Sequence, residues 1–382
     1  MAFAEPVPEI PGVMSDPETG GRLTVDLDAI AENWQALTRR LLTVECGAVV
    51  KANAYGLGLE PVTARLAKAG CKTFFVADVA EARRARSRAR EAAIYVLDGF
   101  SPGAADAFAE LNIQPVINST VELAEWDAFV AAQDVRGGAA LHIDTGMNRL
   151  GMSAEEAAAL ALRLQQQNHG ITLLMSHLAC AEVADHPLNA RQIRLFRELR
   201  ILYHGVPASL ANSSGIFLGQ TAHFDLARPG AALYGINPTP GRDNPMRNVL
   251  TLSGRVLQVR KVPQGQSVGY GAAWTAKRAS RVAIAALGYA DGLSRASSGV
   301  DRKTASNAIV AGKRCPIVGY ISMDLACIDV TDLPDNVVRR GDSAKFIGDG
   351  LPIDEVAGAA GTIGYEVLVR LGSRCHLAYR GG

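Results

Sequence analysis

Lysine is scarce in this chain: only eight occur in 382 residues, and none lies between Lys72 and Lys261. Lys51 directly follows the apolar run Gly47-Ala48-Val49-Val50 and precedes Ala52-Asn53-Ala54-Tyr55-Gly56. A lysine there is a poor helix cap and costly to desolvate. Either its amine snorkels back to water, or it is kept for reactivity, because a desolvated amine with a lowered pKa condenses with carbonyl groups as a Schiff base. Lys68 and Lys72 fall at the end of a helical segment and in the loop after it, so a carbonyl cofactor in this half of the chain would attach at Lys51.

Other polar groups follow apolar runs in the same way. Asn212-Ser213-Ser214-Gly215 and Arg228-Pro229-Gly230-Ala231 are turns whose small residues leave backbone N–H groups open, as a phosphate requires. Two ordinary helix starts would read the same. Arg149 sits in the polar loop Asp144-Thr145-Gly146-Met147-Asn148-Arg149-Leu150-Gly151, where a fixed guanidinium suits a carboxylate or phenolate, or else a surface ion pair. His177 ends Leu173-Leu174-Met175-Ser176 and is either a hydrogen-bonded structural residue or part of a site. Asp78, Asp98 and Asn118, also at run ends, read as helix caps. Later in the chain, Val268-Gly269-Tyr270-Gly271, Gly288–Gly292, Ser322-Met323-Asp324 and Gly361–Glu366 are short turns flanked by glycine or polar residues.

These residues need a scaffold. Residues 23–27 alternate like a strand, and Asp28 starts a helix reaching about residue 41. Apolar runs then recur at 46–50, 73–77, 93–97, 113–117, 139–143, 171–176, 207–211 and 223–227. Segments with helical spacing separate them, among them 61–69, 79–90, 121–132, 154–167 and 190–202. Several runs are apolar throughout, as strands covered by helices are. Eight strand–helix repeats in about 200 residues predict a (β/α)8 barrel, whose chemistry gathers at the carboxyl ends of its strands; an open doubly wound sheet gives the same periodicity. From about residue 250 the rhythm turns to short strands at 252–262, 281–287, 308–311, 317–321, 326–330 and 343–347, with one helix at 353–360. The expected organisation is a flexible tail over 1–20, an α/β barrel over 21–245 and a mostly β domain over 246–382, with the Pro-rich segment 237–248 linking the two.

Composition narrows the function classes. Lys plus Arg (39) nearly cancels Asp plus Glu (38), which leaves no charge excess for nucleic acid or an anionic bilayer. No apolar run approaches the ~18 residues of a membrane span, and the Pro-rich, acidic start lacks the pattern of a signal peptide. The six cysteines are scattered without paired spacing, as free thiols in a reducing cytoplasm are. His142, His177 and His223 lie on different strands without metal-ligand spacing, so no metal is expected.

Taken together, the motifs resemble bacterial alanine racemase, a fold-type III pyridoxal-phosphate family. The matching pieces are Ala48–Gly56, His142–Gly151, Ser176-His177, Ala211-Asn212-Ser213, Arg228-Pro229-Gly230, Gly269-Tyr270-Gly271, Met323-Asp324 and Gly361–Glu366. They stand in the family's order between about residues 23 and 379. The resemblance implies that Lys51 binds pyridoxal 5'-phosphate covalently, with Tyr55, Ser213, Gly230, Ala231 and Tyr365 along its phosphate and Asn212 in support. It implies that Arg228 faces the pyridine nitrogen with His177 behind it, and that Arg149 approaches the phenolate and the substrate carboxylate. Tyr270 and the N–H of Met323 would enter from the partner subunit of a homodimer that shares its active sites. The activity implied is interconversion of L- and D-alanine by two bases, Lys51 and Tyr270, in the cytoplasm, supplying D-alanine for peptidoglycan.

The residue types suit that reaction. Removing the Cα proton on one face and returning one on the other takes two acid–base groups; both have reference pKa values near ~10, which the site must lower. Arg228 can only donate to the ring nitrogen, which weakens the ring as an electron sink and disfavours transamination. One departure stands out: many family members carry a lysine, often carbamylated, where this chain has His142, so either an anion such as chloride or another side chain holds Arg149, or it is held less firmly. Leu57 also replaces a common histidine. Of the other readings, a decarboxylase is disfavoured by Arg228, and a non-enzymatic pyridoxal-phosphate carrier lacks a second domain. A broad-specificity amino-acid racemase on the same scaffold remains.

Overall fold

The computed structural model describes residues 18–133, 138–164, 170–300, 306–372 and 374–382. The chain divides into two compact units, one spanning Leu27–Arg247 and the other joining the residues up to Asp26 to Asn248–Gly381. Most of the expected tail, residues 1–17, and the last part of the helical segment expected at 154–167 lie outside the described residues.

The first unit is the barrel. Its parallel strands are Glu45–Cys46 continued by Ala48–Val49, then Thr73–Val76, Ala93–Val96, Gln114–Ile117, Ala139–His142, Ile171–Met175, Ala208–Ser209 and Leu226–Ala227. Neighbours pair in chain order from Ala48–Val49 to Ala208–Ser209. The ring closes through Leu226–Ala227, which pairs with Glu45–Cys46 and whose flanking residues donate hydrogen bonds to the seventh strand and its end: Asp225 N to Ala208 O at 2.9 Å and Arg228 N to Ala211 O at 2.8 Å. The strands are largely buried on both faces, with Phe74, Phe75, Val76, Ile94, Ile117, Leu141 and Leu174 wholly inaccessible.

Helices cover the first six strands. The first, Leu27–Leu41, places Leu27, Ile30, Trp34, Leu37 and Leu41 at helical spacing on its buried face and carries Arg39 and Arg40 in its last turn, where they favour the helix dipole. It precedes the barrel, yet Asn33 Nδ2 donates to Leu233 O at 3.2 Å, so it packs beside the eighth strand's short turn Ala231–Tyr234. The seventh and eighth strands are followed only by 3₁₀ turns, at Gly215–Phe217, Gln220–Ala222 and Ala231–Tyr234. Their small residues (Ser, Gly, Ala) leave room at the mouth instead of building a full helix.

The second unit is a twisted sheet of eight strands with two helices, Ile353–Ala360 and Gly364–Arg370. Its spine is Leu250–Val262, which pairs with Gly21–Asp26, Ser343–Ile347 and Ser280–Ala286. Gly21–Asp26 also pairs in parallel with His376–Arg380. The first strand therefore belongs to this sheet and not to the barrel as expected, because its alternation suits either surface equally well. Gly20 O already accepts from Arg255 N at 2.9 Å, so ordered chain begins before residue 21. The strand expected at 317–321 is replaced by Lys313–Pro316, and 317–319 contributes only isolated bridges, among them Gly299 with Gly319. Among the described residues, no helix is long and apolar enough to cross a membrane.

Candidate active site

The carboxyl ends of the barrel strands bring Lys51, His142, Arg149, His177 and Arg228 into electrostatic reach of one another. Lys51 is half-buried at the end of the first strand. Its amine is held below the ordinary lysine range by desolvation and, next, by the charge of Arg149, against a weaker upward pull from Asp98 and Glu81. A depressed ammonium pKa is what a carbonyl-binding or proton-abstracting lysine needs.

Arg228 is buried at the end of the eighth strand and reaches across to the sixth and seventh. Its Nη2 donates to Ser176 O at 2.6 Å and, more weakly, to His177 Nδ1 at 3.5 Å, and Nη1 donates to Ser209 Oγ. Burial lowers Arg228 only to about 10, which leaves it charged at neutral pH. His177 is pushed down to about 3 by desolvation and then by the Arg228 charge, so it is a neutral ring accepting from the guanidinium at Nδ1. His177 is itself placed by Gln192, whose Nε2 donates to its carbonyl at 2.8 Å while Oε1 accepts from Ala179 N at 2.9 Å.

His142, the last residue of the fifth strand, is buried, and desolvation followed by the Arg228 charge lowers it to about 4. Asn118 Nδ2 donates to Val116 O at 2.8 Å, which turns Asn118 Oδ1 toward His142 Nδ1 at 2.7 Å. Nδ1 must then carry the proton, leaving Nε2 as a bare acceptor. Asn118 is therefore a partner of His142, not the helix cap expected. Ser119 caps that helix instead, accepting from Glu122 N at 3.1 Å. Asp98 does not act as a cap either. Asp78 does: it accepts from Glu81 N at 2.8 Å.

Arg149 is exposed on its loop and makes no ion pair among the described residues. The loop is shaped by Asp144, whose carboxylate accepts from the amides of Gly146, Met147 and Asn148, each at 2.8 Å. The Asp-Thr-Gly sequence was the signal for this role, since an Asp side chain readily bonds backbone amides just ahead of it.

The turns of the last two strands lie together. Ser213 is buried, and its Oγ accepts from Gly230 N at 3.0 Å and Ala232 N at 3.1 Å. Asn212 Oδ1 accepts from Gly215 N at 2.8 Å and fixes the preceding turn. A Cβ added at Gly230 would stand 2.3 Å from the Tyr55 hydroxyl, so the missing side chain is what lets Tyr55 reach in. Ala231 is buried beside it. The Tyr55 ring lies 4.6 Å from that of Tyr234, which is fully buried and donates to Val49 O at 3.0 Å.

The barrel unit thus assembles nine of the anticipated residues, while Tyr270, Met323 and Tyr365 belong to the β-rich unit. Tyr270 stands in a turn between Gly269 (φ 76°) and Gly271 (φ 67°) and is 73% exposed. Met323 is 54% exposed, and its carbonyl accepts from Ala290 N at 3.0 Å. The close pass of Gly288, where a Cβ would meet Met323 O at 2.2 Å, holds that turn. Tyr365 lies in the helix Gly364–Arg370.

The same residues fall within two family matches. Residues 25–238 match the model described as alanine racemase, N-terminal domain, and residues 249–379 match alanine racemase, C-terminal domain. The chain belongs to the alanine racemase family. Enzymes of this family are isomerases. An alanine racemase of Methylobacterium sp. (strain 4-46) is 51% identical over 94% of this chain and 98% of its own length. One from Rhizobium meliloti (strain 1021) is 46% identical over 97% of this chain and all of its own. Among solved structures, alanine racemase from Bartonella henselae with covalently bound pyridoxal phosphate superimposes with a TM-score of 0.88 at 36% identity. That match covers 95% of this chain and all of that one.

Proposed function

We propose that the barrel mouth racemises alanine, with Lys51 and Tyr270 as the two bases and pyridoxal 5'-phosphate as the cofactor. The observation that carries this reading is the single half-buried, pKa-lowered amine of Lys51 standing among Arg149, His177 and Arg228 at one mouth. The residues present fit the cofactor. The missing side chain at Gly230 lets the Tyr55 hydroxyl in, and Ser213 Oγ, which accepts from the Gly230 and Ala232 amides, keeps its own O–H to donate to a phosphate beside Tyr55. Asn212 would support that turn, and Ala231 and Tyr365 would complete the phosphate site. Arg228, held by Ser176, Ser209 and His177, would face the ring nitrogen as a donor only.

Bound pyridoxal phosphate supplies an electron sink that acidifies the Cα–H of alanine. Lys51 takes or returns that proton on one face; desolvation and the Arg149 charge lower its pKa, which favours the free amine. Tyr270 does the same on the opposite face, and its exposure in the β-rich unit suits a residue supplied to the site of a second copy. Arg149 would hold the substrate carboxylate, with the Met323 N–H beside it. The exposure of Tyr270, Met323, Leu325 and Ile363 on the β-rich unit supports our reading of a homodimer with shared active sites. We place the enzyme in the cytoplasm, where its D-alanine feeds peptidoglycan synthesis.

The test is D-isomer formation from L-alanine and a panel of other L-amino acids, with Lys51→Ala and Tyr270→Phe beside the parent. Alanine as preferred substrate, with activity lost in both variants, supports the assignment. Faster formation of D-serine or D-lysine replaces it with a broad-specificity racemase, and full activity in Lys51→Ala removes the assigned base.

A further inference from the structure

The four residues after Lys51 are not glycine, yet all lie in the left-handed helical region: Ala52 (φ 54°, ψ 49°), Asn53 (55°, 45°), Ala54 (54°, 52°) and Tyr55 (φ 55°). L-residues enter this region singly and at a steric cost, because Cβ crowds the following carbonyl. A full left-handed turn persists only where its surroundings over-determine it. Within the turn, Ala54 N donates to Val50 O and Gly56 N to Ala52 O, both at 2.8 Å. One external tie is the side chain of Glu81. Glu81 Oε1 accepts from Asn53 N at 2.8 Å, and Glu81 Oε2 accepts from Ala77 N at 2.9 Å, at the end of the second strand. One carboxylate thus fastens the middle of the strained turn to the neighbouring strand. Asn53 is gripped from its other side as well, its Oδ1 accepting from Leu59 N at 3.1 Å and from Arg84 Nη2 at 2.7 Å.

We infer that Glu81 is a positioning residue for Lys51: it locks the left-handed turn that fixes the direction in which the Lys51 side chain leaves the backbone. The inference rests on Lys51 being the cofactor lysine. Without the clamp, the turn relaxes toward ordinary backbone and the amine loses its fixed approach. The barrel carries its own control. Glu122 bridges Asn118 N, at 2.7 Å, and Phe100 N in the same way, between the fourth strand and the loop after the third, with no bond to the turn after Lys51 among the described residues.

The test uses apoenzyme mixed with pyridoxal phosphate and quenched with borohydride at intervals, the label being located by peptide mass. Glu81→Gln keeps the shape but turns an NH₂ toward one of the two amides, and slows labelling of Lys51 about tenfold, as expected for a displaced reacting group. Glu122→Gln lowers the melting temperature to a similar extent and leaves the labelling rate within twofold. In an Ala52→Gly/Ala54→Gly background, where two of the four left-handed residues no longer carry a steric cost, Glu81→Gln slows labelling less than threefold. Equal slowing in Glu122→Gln, or an undiminished Glu81→Gln effect in the glycine background, would overturn the clamp while leaving Lys51 as the cofactor lysine. A label on another lysine in the parent removes the Lys51 assignment first, and the inference with it.

Discussion

Replacing Gly230 by alanine puts a methyl group where the Tyr55 hydroxyl sits. The new Cβ would lie 2.3 Å from the hydroxyl oxygen, 3.0 Å from Cζ and 3.3 Å from Cε2. Ordinary contact needs more than 3.4 Å, so the hydroxyl must retreat by about 1 Å. It has little room to do so, because the ring is buried and packed at a tilt against Tyr234, itself fixed by its bond to Val49 O. Overpacking of this kind costs about 1–3 kcal/mol of stability. Losing a hydroxyl's bond to a charged phosphate costs about 1.5–3 kcal/mol of binding, a drop of about 10- to 150-fold in cofactor affinity. The assay is absorbance titration of apoenzyme with pyridoxal phosphate, paired with urea unfolding. Tyr55→Phe in the same background removes the closest clashing atom, so the double variant should regain at least half the lost stability but not the affinity. Gly230→Ala binding cofactor within twofold of the parent, or a double variant no more stable than the single, would refute the reasoning.

Arg228→Glu should raise transamination relative to racemisation, read as pyruvate release per D-alanine formed; an unchanged ratio removes the donor-only account of Arg228. His142 at about 4 and His177 at about 3 are both depressed below the ~6.5 of an unfolded histidine. The unfolded chain therefore binds more protons between about pH 6.5 and pH 4, and stability falls as the pH drops through that window by about 1.4 kcal/mol per unit per histidine. Urea midpoints at pH 5 and pH 8 should differ less in His142→Asn than in the parent, and an equal difference contradicts the assignment. Asn118→Ala should release the His142 tautomer, seen as a protonated Nε2 in nitrogen NMR shifts, and cost about 1–2 kcal/mol for the abandoned Nδ1–H; an unmoved spectrum counts against the Asn118 constraint. Tyr270→Phe should cut racemisation about 100-fold while one enantiomer still exchanges its Cα hydrogen with solvent. Loss of exchange from both enantiomers would rule out one base per face.

The sequence made the barrel legible because its strands are buried on both faces and its helices are rich in Ala, Leu, Glu and Arg, so the two periodicities separate cleanly. The mouth was legible for the same reason: Lys51, His177 and Arg228 each interrupt an apolar run where a polar group must have a purpose. What stayed hidden acts through the backbone or through a partner distant in sequence. Glu81 and Glu122 look like solvent-facing charges of helices, and only the fold brings their oxygens to strand-end amides. The left-handed turn after Lys51 contains Ala, Asn, Ala and Tyr, none of which announces positive φ as glycine would. Asn118 was read as a cap because Asn at the end of a strand so often is one; its true partner is 24 residues away. Gly21–Asp26 was placed in the wrong unit, since a two-residue alternation does not specify which sheet will receive it.

That misplaced strand has a consequence for how the protein is made. Gly21–Asp26 leaves the ribosome before the barrel, but both of its pairing partners, Leu250–Val262 and His376–Arg380, follow the whole barrel. Leu23 and Val25 are completely inaccessible in the finished molecule, so the nascent chain must keep two apolar side chains waiting until residues 250–254 and 376–380 have been made. A fragment starting near residue 248 would lack an interior strand and present two raw edges, which invites clumping. A circular permutant that carries the leading strand to the far terminus should escape the wait.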